Sequence, residues 1–146
     1  MEIRFTLPIR PVTKKNSGRI IMRGKYPILL PSEQYVQFEK ESLPFFNQVK
    51  NQIGVIHYPV NVKCVFYTDA RRKVDLCNLL NAVDDAMVAS GLVIDDNRDI
   101  VAAHDGSRVY CDRLNPRIEI TIEELKSYEQ YEQWKDTENV QRSLKL

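Results

Sequence analysis

Strand signals recur along most of the chain. Polar and apolar residues alternate in 2–7 and 117–122, and 60–67 is rich in β-branched and aromatic residues, as is typical of half-buried strands. Two further pairs of short apolar runs flank the segments Arg23–Lys25 and Asp105–Gly106, which carry turn residues and predict a strand on each side. The predicted strands are residues 2–7, 20–22, 28–30, 60–67, 100–103, 108–111 and 117–122.

Helical spacing appears in two internal segments and in the tail. Residues 76–90 place apolar side chains at i, i+3, i+4 and i+7, and Gly91 supplies a stop signal. Ser32 is a candidate N-cap for a helix reaching about residue 52, which Pro44 is expected to break or kink. The pattern predicts an α+β protein with one compact domain, 1–124, in which a mixed β-sheet packs against two main helices. A helical tail over 125–146, the additional C-terminal helix, is expected to follow.

The composition is that of an ordinary globular protein. Hydrophobic residues make up 43% and charged residues 28%, and the longest apolar runs fall far short of the ~20 residues that a membrane span needs. Three cysteines without metal-ligand spacing predict reduced thiols. The N-terminus lacks a signal-peptide layout, so we expect a cytoplasmic protein without membrane association. Glycine-rich nucleotide-binding motifs are absent from the sequence, so no nucleotide cofactor is expected.

Charge is distributed unevenly along the chain. Residues 1–50 carry nine Lys or Arg against four Glu, whereas nine of the ten acidic residues in 51–122 are Asp. Aspartate is typical of helix caps, turns and metal sites. A basic front end followed by an Asp-rich centre therefore favours phosphate contact together with a hard metal ion, and scattered surface charge is the alternative.

The acidic candidates lie on and after the 76–90 helix. Asp75, Asn78, Asn81 and Asp85 are spaced 3, 3 and 4 residues apart, which places them on one helical face. Asp95–Asp96 ends an apolar run, where a turn can aim carboxylates at the same place. Converging carboxylates would hold Mg²⁺, and such an ion can activate water for attack on a phosphodiester. The alternatives are a helix cap at Asp75, plain surface along the helix and an ordinary turn at 95–97.

Basic residues flank these carboxylates in the sequence. One group lies in the loop and hairpin of residues 14–25, and the other directly precedes Asp75. A phosphodiester enzyme holds its polymer through phosphates, so both groups are candidates for DNA contact, with solvated surface as the alternative. The candidate DNA-binding residues are Lys14, Lys15, Asn16, Arg19, Arg23, Lys25, Arg71, Arg72 and Lys73.

Two stretches together, Val74–Met87 and Gly91–Asp96, resemble the signature of RusA-type Holliday junction resolvases. The resemblance implies a homodimeric, Mg²⁺-dependent endonuclease that nicks four-way DNA junctions in recombination and repair, with Mn²⁺ as a possible substitute. Many such enzymes are encoded by phages or prophages. By position, Asp75 and Asp96 would be metal ligands with Asp95 adjacent. Asn78 would support the site from the helix, and Asp85 would hold a basic group or a water behind the metal ligands.

The chain departs from that signature at two positions. Cys77 replaces a second Asp, and Asn81 replaces a Lys, although Asn81 can still hydrogen-bond a phosphate oxygen at the catalytic position. A thiolate is a poor partner for Mg²⁺, and an amide brings no positive charge to the transition state. Asp69 or Asp95 are candidates to replace the carboxylate, and Arg72 or Lys73 the charge. Two hypotheses follow, a junction endonuclease or a catalytically impaired junction-binding protein of the same fold. A small structural domain is a third.

Overall fold

Alternating strands and two long helices form the fold. The computed structural model describes residues 1–14 and 19–125, with the Arg19 side chain left out. Its elements in chain order are β1 (Glu2–Leu7), β2 (Arg19–Arg23), β3 (Tyr26–Leu30), α1 (Glu33–Ile53), β4 (Val60–Thr68), α2 (Leu76–Ser90), β5 (Val101–Ala103), β6 (Arg108–Cys111) and β7 (Arg117–Glu124). Each predicted strand is present to within two residues at either end. The α+β prediction is confirmed; the predicted C-terminal helix lies outside the described residues.

The main sheet is mixed, as predicted. Strand β7 lies between β1 and β4 and is antiparallel to both, so Ile120 pairs with Phe5 on one side and Cys64 on the other. Strands β5 and β6 both lie along the far edge of β4 and run parallel to it. Strand β4 is therefore covered on both edges along most of its length.

Strands β5 and β6 do not form the hairpin that the Asp105–Gly106 turn predicts. Val101 pairs with Val60, and Arg108 pairs with Val65, so both strands follow β4 in the same direction. The Asn61 side chain holds the turn between β5 and β6 against β4. Its Oδ1 accepts from the Asp105 amide at 2.7 Å, and its Nδ2 donates to the Asp105 carbonyl at 3.2 Å. These bonds lie where the pairing of β4 passes from β5 to β6, and β6 continues in the same direction as β5.

Alternation along the strands places the core on one face of the sheet. Val60, Val62, Cys64 and Phe66 of β4 are fully buried, and so are the apolar residues of β7. The intervening positions, such as Lys63, point to the opposite face. The described helices cover the first face, and the second is polar and open.

Helix α1 begins where Ser32 was expected to cap it, with the Ser32 Oγ accepting from the Tyr35 amide at 3.1 Å. The prediction that Pro44 breaks the helix is wrong, since residues 33–53 form one helix. Proline removes one backbone hydrogen bond. Buried Phe38 on one side of Pro44 and buried Phe46 on the other anchor both halves to the core and offset that loss.

Helix α2 has the predicted bounds and the predicted stop. Gly91 takes the left-handed conformation with φ 77°, and its amide donates to the carbonyls of Met87 and Val88. No helix within the described residues combines the length and apolar character that a bilayer-spanning segment needs.

The predicted hairpin of β2 and β3 is present, and it forms a two-stranded sheet separate from the main one. Its turn contains Gly24 in the left-handed region, with φ 60°. Ile20, Met22, Tyr26 and Leu29 are exposed on this hairpin. Arg23 and Lys25 therefore stand at the tip of a projecting ribbon.

Candidate active site

Asp75 occupies the N-cap position of α2 without acting as a side-chain cap. Its backbone is extended, with φ −79° and ψ 123°, and no helix amide donates to its carboxylate. Asn78 instead donates from Nδ2 to Asp75 Oδ2 at 3.3 Å, and Asn78 is itself buried. The exposed carboxylate of Asp75 is thus oriented by Asn78 and keeps oxygen lone pairs for a ligand.

Asp85 holds a basic side chain, Lys14, which arrives from the segment after β1. The Lys14 Nζ lies 2.8 Å from Asp85 Oδ2 and 5.0 Å from the centre of the Tyr35 ring. Burial, the charge and hydrogen bond of Glu39 and the charge of Asp85 raise the pKa of Tyr35, so its phenol stays neutral. Lys14 is a candidate DNA-binding residue, and the structure gives its charge a partner on α2.

The two aspartates in the turn after α2 have different surroundings. Asp95 accepts from the Asp96 amide at 2.8 Å and from Asn97 Nδ2 at 3.0 Å. These bonds lower the pKa of Asp95, which stays ionised. Partial burial, the charge of Asp85, the Asp95 side chain and the charge of Asp84 raise the pKa of Asp96. Asp96 is therefore the carboxylate of the turn whose ionisation is opposed by the negative charges of Asp85 and Asp84.

The structure brings Asp96 into the field of Asp85 and Asp84, on the second half of α2. Asp75 precedes Asp85 by ten residues, which corresponds to about 15 Å along a helix axis. Within 1–14 and 19–125, no group of three or more His, Cys, Asp or Glu side chains is placed to hold a metal ion. Carboxylate oxygens are the ligands that Mg²⁺ prefers, so Asp75 and Asp96 are candidate ligands by their chemistry, and their convergence on one ion stays a prediction.

Sequence reasoning missed a buried acid–base pair, Asp84 and His104. His104 Nε2 lies 2.8 Å from Asp84 Oδ2, and His104 Nδ1 lies 2.7 Å from the Val62 carbonyl oxygen. Asp84 Oδ1 is buried and has no hydrogen-bond partner in the described part of the chain. Twenty residues separate Asp84 from His104. Asp84 lies inside the RusA-like stretch Val74–Met87, but nothing in the sequence links it to His104, so only the fold reveals the pair.

Exposed basic side chains lie in two parts of the described structure. Arg71, Arg72 and Lys73 are exposed in the loop that leads from β4 directly into Asp75. Arg23 and Lys25 are exposed at the tip of the hairpin. The candidates Lys15 and Asn16 lie outside the described residues, and so does the side chain of Arg19.

Comparison with known proteins decides the family. A family model described as Endodeoxyribonuclease RusA matches residues 8–123. The chain belongs to the RusA family of endodeoxyribonucleases. The match includes every candidate site residue named above, and it leaves the tail after residue 123 outside. A search of curated proteins returned no match.

The two departures from the RusA signature lie on the exposed side of α2. Cys77 is exposed in the first turn of the helix, two residues after Asp75. Asn81 is also exposed and lies four residues before Asp85, hence on the same face. Both positions face solvent near the RusA-type carboxylates, where a substrate would approach.

Proposed function

We propose that this chain is a metal-dependent endonuclease that cleaves four-way DNA junctions as a homodimer. The observation that carries the proposal is the RusA-family match over residues 8–123, which contains the acidic residues of α2 and of the turn that follows it. Exposed cations on the loop before Asp75 and at the hairpin tip support it, since DNA is held chiefly through its phosphates.

In this proposal, Asp75 and Asp96 hold Mg²⁺ with Asp95 beside them. A bound Mg²⁺ ion would supply an activated water and would stabilise charge on the phosphodiester. Asn78 orients the Asp75 carboxylate through its 3.3 Å hydrogen bond. Asp85 keeps the Lys14 ammonium close to α2. Asn81 would donate a hydrogen bond to a phosphate oxygen, and Arg71, Arg72 and Lys73 would hold the DNA strand that approaches Asp75.

Homodimerisation would match the substrate. A two-fold dimer presents two identical sites, and a four-way junction offers two opposed strands of equivalent geometry. We expect paired nicks in opposed strands and a sedimentation mass of twice the chain mass. Unpaired single nicks made by a monomer would refute this part of the proposal.

Cleavage of a synthetic four-way junction by the full chain, with Mg²⁺ or Mn²⁺, tests the proposal. We expect cleavage by the natural chain, its loss in Asp75→Asn, and its retention in Asp99→Asn. Asp99 is a matched control because it is an exposed carboxylate three residues after Asp96, and its backbone amide, which donates to Asn97, is unchanged by the substitution. Failure of the natural chain to cut would overturn the assignment as an active nuclease.

Cys77 and Asn81 favour a second candidate function, a junction-binding protein with impaired catalysis. They replace a hard oxygen ligand and a cation, and the described residues do not gather three ligands for a metal. The double variant Cys77→Asp/Asn81→Lys separates the two functions. Tight junction binding without cleavage by the natural chain, together with cleavage by this variant, would favour the binding protein.

A further inference from the structure

An open groove lies between the loop before Asp75 and strand β6. It has a volume of about 500 Å³, and its lining includes Arg71, Arg72, Lys73 and Tyr110. Half of the Tyr110 surface is exposed, at 50%. The groove therefore combines three cationic side chains with an accessible aromatic ring.

The aromatic ring is held in place from the sheet side. Tyr110 lies beside Tyr67, with ring centres 5.7 Å apart and planes inclined at 34°. The Arg117 guanidinium carbon lies 3.7 Å from the centre of the Tyr67 ring. Arg117 is itself fixed by Asp112 at 2.8 Å and by Glu119 at 3.0 Å. This stack restrains Tyr67 and provides a firm neighbour for Tyr110.

Hydrogen bonds join the loop to β6 at the base of the groove. The Thr68 hydroxyl lies 3.0 Å from the Ala70 carbonyl and 3.2 Å from the Tyr110 carbonyl. The Asp112 amide donates to the Thr68 carbonyl at 2.8 Å. The spacing between the cationic loop and Tyr110 is thus set by the backbone.

We propose that this groove binds an unpaired nucleotide of the DNA, with its base stacked on Tyr110 and its phosphates held by Arg71, Arg72 and Lys73. Proteins usually hold single-stranded nucleic acid with cationic side chains along its sugar–phosphate backbone and with exposed aromatic rings on which the bases stack. The inference rests on the proposed function, which supplies DNA as the ligand. Because Lys73 is two residues from Asp75, a strand held here passes next to the first proposed metal ligand.

Binding measurements on the full chain in EDTA test the stacking contact without cleavage. The probes are a single strand, a blunt duplex of the same sequence, and a four-way junction carrying 2-aminopurine at the crossover. We expect Tyr110→Ala to bind the single strand and the junction about tenfold more weakly and to lose the 2-aminopurine fluorescence change, with duplex affinity unchanged. Tyr110→Phe should retain both signals because the ring remains.

Leu114→Ala is the matched control, since Leu114 is 96% exposed in the loop after β6 and should leave every probe unaffected. Equal weakening of duplex and single strand by Tyr110→Ala, or no weakening at all, would overturn the stacking proposal. Release of the labelled strand by polyglutamate but not by unlabelled oligonucleotide would assign the groove to an acidic peptide and would also overturn it.

Junction cleavage that survives Tyr110→Ala with unchanged binding would refute the groove alone. Single-strand binding through Tyr110 by a chain that cuts no junction would refute the nuclease alone.

Discussion

Replacing His104 by Gln tests the buried Asp84–His104 pair. A carbonyl oxygen can only accept, so the 2.7 Å contact with Val62 places a proton on His104 Nδ1. The 2.8 Å contact between His104 Nε2 and Asp84 Oδ2 is a hydrogen bond from His104 when Nε2 also carries a proton. Both contacts of His104 are therefore satisfied in its protonated form.

The magnitude follows from burial. The side chains of His104 and Asp84 are 25% and 10% exposed, and removing one partner of a buried charge pair costs about 3–5 kcal/mol. Because His104 is partly exposed, His104→Gln should cost less than that range, about 2–3 kcal/mol in the free energy of unfolding. The variant removes the bond from His104 to Asp84 Oδ2. The other oxygen, Oδ1, already has no hydrogen-bond partner among the described residues. Asp84→Asn/His104→Gln should lose less than the sum of the single changes, because no uncompensated charge remains.

The pH dependence has a defined sign. Burial by itself lowers the pKa of His104, but the hydrogen bond and charge of Asp84, with the Val62 hydrogen bond, outweigh burial and raise it. When the pKa of a histidine is higher in the folded chain than its unfolded value of about 6.5, protonation stabilises the folded state. That stabilisation is fully present at pH values below the unfolded pKa. The stabilisation is lost as pH rises through the folded pKa. The free energy of unfolding of the natural chain should therefore fall as the pH rises from slightly acidic to alkaline. The variant Asp84→Asn/His104→Gln should lack the part of this pH dependence that comes from the pair.

Urea unfolding at several pH values measures the stability, and NMR of the histidine rings measures the titration. The chain has two histidines, so His57→Gln both assigns the resonances and serves as a matched substitution. Equal destabilisation by His104→Gln and His57→Gln would refute the reasoning, and so would a His104 titration at or below the ordinary histidine value.

Three further predictions concern single residues. Ellman's reagent should titrate two of the three cysteines in the folded chain, because Cys77 and Cys111 are exposed, whereas Cys64 is buried and burial raises its pKa; rapid reaction of all three without denaturant would contradict the fold. Gly91→Ala should lower the free energy of unfolding by about 1 kcal/mol, because φ 77° is strained for a side chain bearing Cβ; an unchanged urea midpoint would refute this. Phe46→Ala should cost about 3–5 kcal/mol, since Phe46 is fully buried and packs edge-on against Phe5 at 6.1 Å, whereas exposed Leu43→Ala should cost far less.

Local patterns predicted the two described helices and the long strands of the main sheet well because these elements are amphipathic. Strands 2–7 and 117–122 alternate since one face of the sheet is buried and the other is open, and α2 ends where Gly91 permits the left-handed conformation. The direction of β6 escaped prediction for a long-range reason. An Asp-Gly turn favours a hairpin locally, and the Asn61 side chain overrides that preference from 44 residues away.

In the candidate site, too, the sequence predicted local relations between residues and missed the long-range contacts. Helical spacing predicted that Asp75, Asn78, Asn81 and Asp85 share a face, and the Asn78–Asp75 hydrogen bond and the exposure of Asn81 are consistent with it. Periodicity could not indicate that Lys14 reaches Asp85, nor that Asp84 turns inward to His104, because both contacts join segments distant in the chain. Convergence of Asp75 and Asp96 on one ion stays a prediction, as do the division of the chain at residue 124 and the roles of the site residues.

The contacts along α2 make the Cys77→Asp/Asn81→Lys variant a clean test of chemistry. The helix's other polar side chains in this region are already engaged, Asn78 with Asp75, Asp84 with His104 and Asp85 with Lys14. Cys77 and Asn81 are both exposed, so new charges there remain solvated. An aspartate in the first turn also complements the positive end of the helix dipole, and a lysine at 81 lies one turn from the Asp85 carboxylate. The variant should therefore fold as the natural chain does, with an unchanged urea midpoint to within about 0.5 kcal/mol. Any gain or absence of junction cleavage would then report on the metal ligand and the cation themselves.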